Sequence, residues 1–219
     1  MWFFYILLIL GILFLSAYLS SAKFKGKLGE FVLSQQAKTH LDPDVYHLLE
    51  NCTLPDGQGA TTQIDHILLS PYGIFVIECK NYQGWILGGE RQKTWTQKFH
   101  KKSFKFQNPL HQNYKHLKVL EQLLEDIVDA EYLHSLVVFT PQSSFKTPMP
   151  ANVVQGKAWL DYVRSFRQEE LGPMKLKRVR YRIEKEALDP SWKTDRLHVQ
   201  NLKQAKIAQP SSTESSHQI

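Results

Sequence analysis

Cysteine is scarce: Cys52 and Cys79 are the only two in 219 residues, too few for a disulfide framework. Neither lies in a C-x-x-C pair or at a Cys/His spacing that would point to zinc. The chain also lacks an internal repeat, a glycine-rich phosphate loop and a Ser/His/Asp nucleophile motif, so no nucleotide-driven motor is expected within it. Charge is absent from Met1 to Ala22, and Trp2 to Tyr18 is almost wholly apolar. About 20 such residues, at ~1.5 Å each, span the ~30 Å hydrocarbon core of a bilayer. Lys23, Lys25 and Lys27 follow at once, and Trp2 and Tyr18 stand where interfacial aromatics belong. A cleaved signal peptide ending at Ser20-Ser21-Ala22 would want a positive start and a shorter apolar run. The expectation is a single-pass transmembrane helix over residues 1–22 in the inner (cytoplasmic) membrane. Its amino terminus would lie outside and the rest of the chain in the cytoplasm.

What is present outside that segment is basic. The net charge is +6, which favours a polyanionic partner. Lys98, Lys101, Lys102 and Lys105 alternate with Trp95, Phe99, Phe104 and Phe106, a mix that can grip phosphates while stacking on unpaired bases. The same pattern also fits an amphipathic strand whose aromatics pack inward, and anionic lipid headgroups compete with DNA as the partner. A second basic run, Lys175 to Arg182, alternates at period 2 and reads as an edge strand or a helix start.

The densest chemistry lies between Gln63 and Lys80. Ile64 to Leu69 and Ile74 to Cys79 are short apolar, β-branched runs, and Ser70-Pro71-Tyr72-Gly73 separates them as a turn. A turn centred between Pro71 and Tyr72 places Asp65 directly across from Glu78. Cross-strand neighbours have Cβ atoms about 4.5–5.5 Å apart. Lys80 is two residues beyond Glu78 and shares its face of the strand. The run Gly73 to Ile77 is apolar on both faces, so a sheet interior is expected and charges at its end need a reason. Two carboxylates and a lysine suit a Mg2+ or Mn2+ site that hydrolyses phosphodiesters. Such hard cations are held by carboxylates and activate water, and a lysine can orient the water or meet developing charge. Cys79 alternates away from this cluster and is expected to pack in the core.

These residues resemble a known family. Gln63-Ile64-Asp65-His66, Gly73 to Asn81, Trp95, and Asn108-Pro109-Leu110-His111-Gln112-Asn113 with His116 look like the NERD (nuclease-related) domain. That domain is similar to the PD-(D/E)xK restriction-endonuclease-like superfamily. The resemblance runs from about Gly26 to Thr140. It implies an α/β, restriction-endonuclease-like core with a central mixed β-sheet flanked by helices, and a metal-dependent nuclease site. Carried over residue by residue, Glu30, Asp65 and Glu78 would bind metal and take part in catalysis. Lys80 would position water or stabilise charge, and Gln112 would orient water or phosphate. Asn113 and His116 would contact nucleic acid, as Lys98, Lys101, Lys102 and Lys105 would on the charge pattern described above. Ile64 stands where the superfamily's name has proline.

The expected layout places the anchor at 1–22, a nuclease-like domain at 23–145, a mostly helical extension at 146–207 and a disordered tail at 208–219. Within the domain, a helix from Lys27 to about Leu41 turns Leu28, Phe31 and Val32 inward, and a strand lies within Val45–Leu54. A further hairpin runs through Gly84 to Thr96. A helix spans His111 to Asp129, with Asn108-Pro109 at its start, and a buried strand follows from Ser135 to Thr140. Lys157–Gln168 and Glu184–Lys206 read as helices that complete the domain or form a small appendage. Two function classes stay open: a membrane-anchored, Mg2+-dependent nuclease acting on DNA, or a nucleic-acid-binding and tethering module with little activity. Cutting of both strands would suggest a homodimer.

Overall fold

The computed structural model describes residues 2–189, apart from the side chains of Phe3, Ala17, Leu19, Ser20, Ala22 and Lys23. Most of the helix expected from Glu184 to Lys206 and the tail expected from residue 208 lie outside the described residues. Helix α1 (Trp2–Ser20) carries no charge. Among the described residues no helix is long and apolar enough to cross a membrane. The transmembrane segment expected over residues 1–22 is therefore not supported by the fold.

Ser21 separates α1 from α2 (Ala22–His40), and its hydroxyl accepts the Phe24 amide at 3.2 Å as an N-cap. The apolar face of α2 differs from expectation. Leu28, Phe31 and Val32 are exposed, whereas Leu33, Ala37 and Leu41 enter the core. Gly29 leads that inner stripe, and a Cβ there would stand 2.9 Å from Cβ of Asn81. The missing side chain is what lets α2 lie directly on the sheet.

That sheet is mixed. Strands β1 (His47–Pro55) and β3 (Gly73–Lys80) both pair antiparallel with β2 (Thr61–Ser70), which lies between them. A second sheet begins with β4 (Gly84–Leu87), β5 (Thr94–Phe99) and β6 (Lys102–Gln107), so the basic, aromatic stretch is a hairpin. Helix α3 (Pro109–Leu124) then returns the chain to β7 (Leu133–Phe139), which pairs parallel with β3. Strand β8 (Ser143–Phe145) joins β4, and β9 (Val153–Gln155) joins β7. The strand orders are β1-β2-β3-β7-β9 and β6-β5-β4-β8. Helix α3 starts at Pro109 and stops at Leu124, short of the Asp129 expected. Asn108 caps it by accepting the Leu110 amide at 3.0 Å.

With neighbours on both edges and both faces, Ile74, Phe75, Val76 and Ile77 are fully buried, as the doubly apolar run predicts. Alternate residues of β3 serve opposite layers. Ile74 and Val76 pack with Leu120 and Leu124 of α3, while Phe75 and Ile77 pack with Leu33 and Ala37 of α2.

Two further helices, α4 (Ala158–Arg164) and α5 (Pro173–Glu186), close the layers. The basic run at Lys175 is helical, because Leu176, Val179 and Ile183 at spacings of three and four enter the core beside β1 and β2. Residues 146–189 thus add a strand and two helices to the same sheet and core instead of forming an appendage.

Candidate active site

The β2–β3 ladder follows the register expected from the Pro71–Tyr72 turn. Ser70 pairs with Gly73, and the partners continue to His66 and Ile77. One step further, at Asp65 and Glu78, the ladder stops. There Oδ2 of Asp65 accepts the Cys79 amide at 2.9 Å, a side chain standing in for the next backbone carbonyl. Strand β3 meanwhile stays paired with β7 as far as Lys80 and Phe139. The strands part just where the charges sit, at the carboxyl end of β3. Open α/β sheets place ligand sites at this kind of position.

The opening is a groove of about 860 Å3 whose walls include Glu30, Asp65, Glu78 and Lys80. Glu78 and Lys80 lie on the α3 side of β3, and Glu30 arrives from α2, one residue past the close approach at Gly29. A smaller hollow of about 280 Å3 beside Leu41 and Tyr46 is lined by no acidic side chain.

Lys80 is tightly held. Its Nζ donates to Oε1 of Glu78 at 2.6 Å and to Oε1 of Gln112 at 2.9 Å. The other Glu78 oxygen accepts from Nε2 of His116 at 3.2 Å, and Nδ1 of His116 meets the Thr62 hydroxyl at 2.6 Å. A neutral ring donating to Glu78 and accepting from Thr62 satisfies both contacts. Gln112 and His116, one turn apart on α3, therefore reach adjacent members of the cluster.

Electrostatics separates the three acids. Burial pushes Asp65 well above the ordinary carboxylate range, with Glu78 and Glu30 adding to the effect against the Cys79 hydrogen bond. Glu30 is also raised by burial and by Glu78, against Lys27. Burial would raise Glu78 too, but the His116 hydrogen bond and the Lys80 charge hold it below its usual value. Lys80 moves upward: burial would lower it, and the Glu78 carboxylate more than compensates. Lys80 is thus an ammonium donor at neutral pH, unsuited to removing a proton.

Among the described residues no group of three or more His, Cys, Asp or Glu side chains is placed to hold a metal ion. Glu78 turns both oxygens toward Lys80 and His116. The donor set nonetheless fits Mg2+ or Mn2+ chemically. Glu30, Asp65 and Glu78 supply hard oxygens, and a divalent cation would relieve the mutual repulsion that adds to the upward shifts of Asp65 and Glu30.

Other expected site residues are placed elsewhere. Asn113 was expected to touch nucleic acid, but it is fully buried. Its Nδ2 donates to the Val76 carbonyl at 2.8 Å, to Ser135 Oγ at 2.9 Å and to the Leu136 carbonyl at 3.2 Å. It fastens α3 across β3 and β7. His116, also expected at nucleic acid, is buried behind Glu78. In the β5–β6 hairpin, Gln97 opposes Phe104 and Lys98 opposes Ser103. The pleat therefore puts Lys98 and Lys105 on the face away from Phe99, Phe104 and the groove. Lys102 shares the groove-side face at the hairpin end, and Lys101 lies in the turn; none of these four lysines lines the groove.

Residues not anticipated are Thr62 and Ser34, whose Oγ lies 2.9 Å from Nε2 of His66 between α2 and β2. Burial lowers His66 to a pKa of about 4. Alternation along β2 would put Thr62 and His66 on one face, so it does not find their contacts with α3 and α2 on opposite faces of the sheet. Cys79 is packed against α2, and burial pushes its thiol upward, which removes it as a nucleophile.

The sequence profile of the nuclease-related domain family matches residues 25–140, just over half of the chain. A protein of Bacillus anthracis described as uncharacterized is 45% identical over 124 residues, which make up 57% of each chain. The chain spans little more than half the length of that curated relative. No solved structure matches.

Proposed function

The chain belongs to the nuclease-related domain family, of the general PD-(D/E)xK kind, and on that footing we propose that it hydrolyses phosphodiester bonds of DNA using Mg2+ or Mn2+. One observation carries the reading: Lys80 is held as a cation between Glu78 and Gln112, beside Asp65 and Glu30, at a groove open to a ligand. A fold stabilised by burial alone has no use for three acids and a lysine gathered there. A divalent cation would be held by Asp65, Glu78 and Glu30, and supplies Lewis acidity and an acidified water. Lys80 has a third N–H beyond those given to Glu78 and Gln112, available for a phosphate oxygen or a water. His116 and Thr62 fix the Glu78 carboxylate, and Gln112 fixes the ammonium. The protein's part in the chemistry is thus preorganised charge at the scissile group.

Attachment to the cytoplasmic face of the inner membrane is proposed through α1. The uncharged run to Ala22 and the exposure of its apolar side chains, such as Trp2 at 85% and Phe14 at 77%, support this. Flotation of the full chain with vesicles, lost on deletion of residues 1–22, tests it. One observation favours a second reading, a nucleic-acid-binding module without strong activity. Both Glu78 oxygens are already engaged, and a cation must compete for them.

The deciding experiment incubates the full chain, in mild detergent, with plasmid and single-stranded DNA and Mg2+ or Mn2+. Cleavage abolished in Asp65→Ala and Lys80→Ala is expected. Cleavage unchanged in both variants would remove the proposed site, and absence of metal-dependent cleavage would leave the binding module.

A further inference from the structure

The groove has a charged floor but largely uncharged walls. On one side, Phe24, Leu28 and Val32 follow each other at spacings of four along α2, forming a stripe that lines the groove. This accounts for Leu28 and Val32 on the outward apolar face of α2. On the other side stand Phe99 and Phe104 of the β5–β6 hairpin, 38% and 52% exposed. Their strand face continues inward to Phe106 and to fully buried Trp95. One aromatic face thus closes the core at its inner end and is presented to the groove at its outer end. Lys98 and Lys105, which would suit a rigid phosphate backbone, are turned to the opposite face.

We infer that this groove takes a single strand of nucleic acid, with unpaired bases against Phe99, Phe104 and the α2 stripe and a phosphate over Lys80. The inference rests on the nucleic-acid reading above and specifies its substrate class. Unpaired bases offer flat apolar faces, and aromatic stacking on them tolerates any sequence. A duplex hides those faces in its own stack and presents phosphates, for which walls of Phe, Leu and Val are poor partners. Size agrees, since about 860 Å3 is in the range that encloses a drug-sized group such as one or two nucleotides.

The test is a binding titration of the full chain carrying Asp65→Asn, in EDTA, against a labelled 20-nucleotide DNA strand, its RNA equivalent and the DNA duplex at one fixed salt concentration. At least one single strand should bind roughly tenfold or more tightly than the duplex. Phe104→Ala and Phe99→Ala should each weaken single-strand binding by about tenfold and leave duplex binding unchanged. Phe104→Leu, which keeps an apolar side chain but no ring, should behave like Phe104→Ala, and an unchanged circular dichroism spectrum secures the fold. Equal or tighter duplex binding overturns the inference, as does an equal loss on both substrates. Undiminished cleavage of single-stranded DNA by Phe99→Ala/Phe104→Ala would overturn it while leaving the nuclease reading in place. Binding to none of the three probes would overturn both.

Discussion

The Gln112 side-chain oxygen accepts from the Lys80 ammonium at 2.9 Å, joining the first turn of α3 to the last residue of β3. Because Glu78 holds the same ammonium, Lys80 has little freedom left. Gln112→Ala should lower kcat on DNA by about tenfold with KM nearly unchanged, and Lys80→Ala by roughly 10²–10³. Steady-state cleavage kinetics check this. A change confined to KM in both variants would contradict the role given to Lys80.

Asn113→Ala should cost stability. Its amide serves two strand carbonyls and Ser135 inside the core, and a buried group left unpaired costs about 1–3 kcal/mol. A loss of about 2–4 kcal/mol is expected in urea unfolding, as a lower midpoint with the slope unchanged. Single-strand binding by the folded fraction should be unaltered.

Gly29→Ala tests how α2 is seated. The added Cβ meets Cβ of Asn81 at 2.9 Å and Sγ of Cys79 at 3.3 Å, so the helix must shift. Overpacking of this kind costs typically 1–3 kcal/mol. Since Glu30 is the next residue, cleavage should fall more steeply than the thermal midpoint, measured by parallel assays.

Acid stability should report His66. Its folded pKa, about 4, lies below the unfolded value of ~6.5. Between these values the unfolded chain binds the proton and the folded chain does not, so stability falls as pH drops through this window. Above about pH 7 the group has no effect. The full difference is on the order of 3 kcal/mol. Asp65 acts in the opposite sense, since its raised folded value favours the protonated folded form. Comparing the chain with His66→Gln in EDTA isolates the histidine: the variant's stability should decline less between pH 7 and pH 4.

Metal binding should be detectable without catalysis. A cation that binds only the folded chain stabilises it by mass action. Mg2+ or Mn2+ at about 100 times Kd should add roughly 2.7 kcal/mol, read as a raised Tm by scanning calorimetry. The rise should be lost in Asp65→Asn and reduced in Glu30→Gln. An equal rise in all three chains would place the cation elsewhere.

The sequence by itself determined what local periodicity can carry. Alternation and the Pro71–Tyr72 turn set the β2–β3 register, since a one-residue slip would send every buried side chain to the wrong face. The four-residue spacing likewise placed Gln112 and His116 together on α3. Only the tertiary structure decided which surface each element met. Leu28 and Val32 are as apolar as Leu33, and only docking at Gly29 made the former wall and the latter core. Asn113 and Gln112 are adjacent amides; one lies over strand carbonyls and the other over Lys80. Lys98 and Lys105 were fixed on the far face by the second sheet crossing beside β3. Burial and pairing depend on neighbours distant in sequence, so they follow from the packed fold and leave little trace in any single segment.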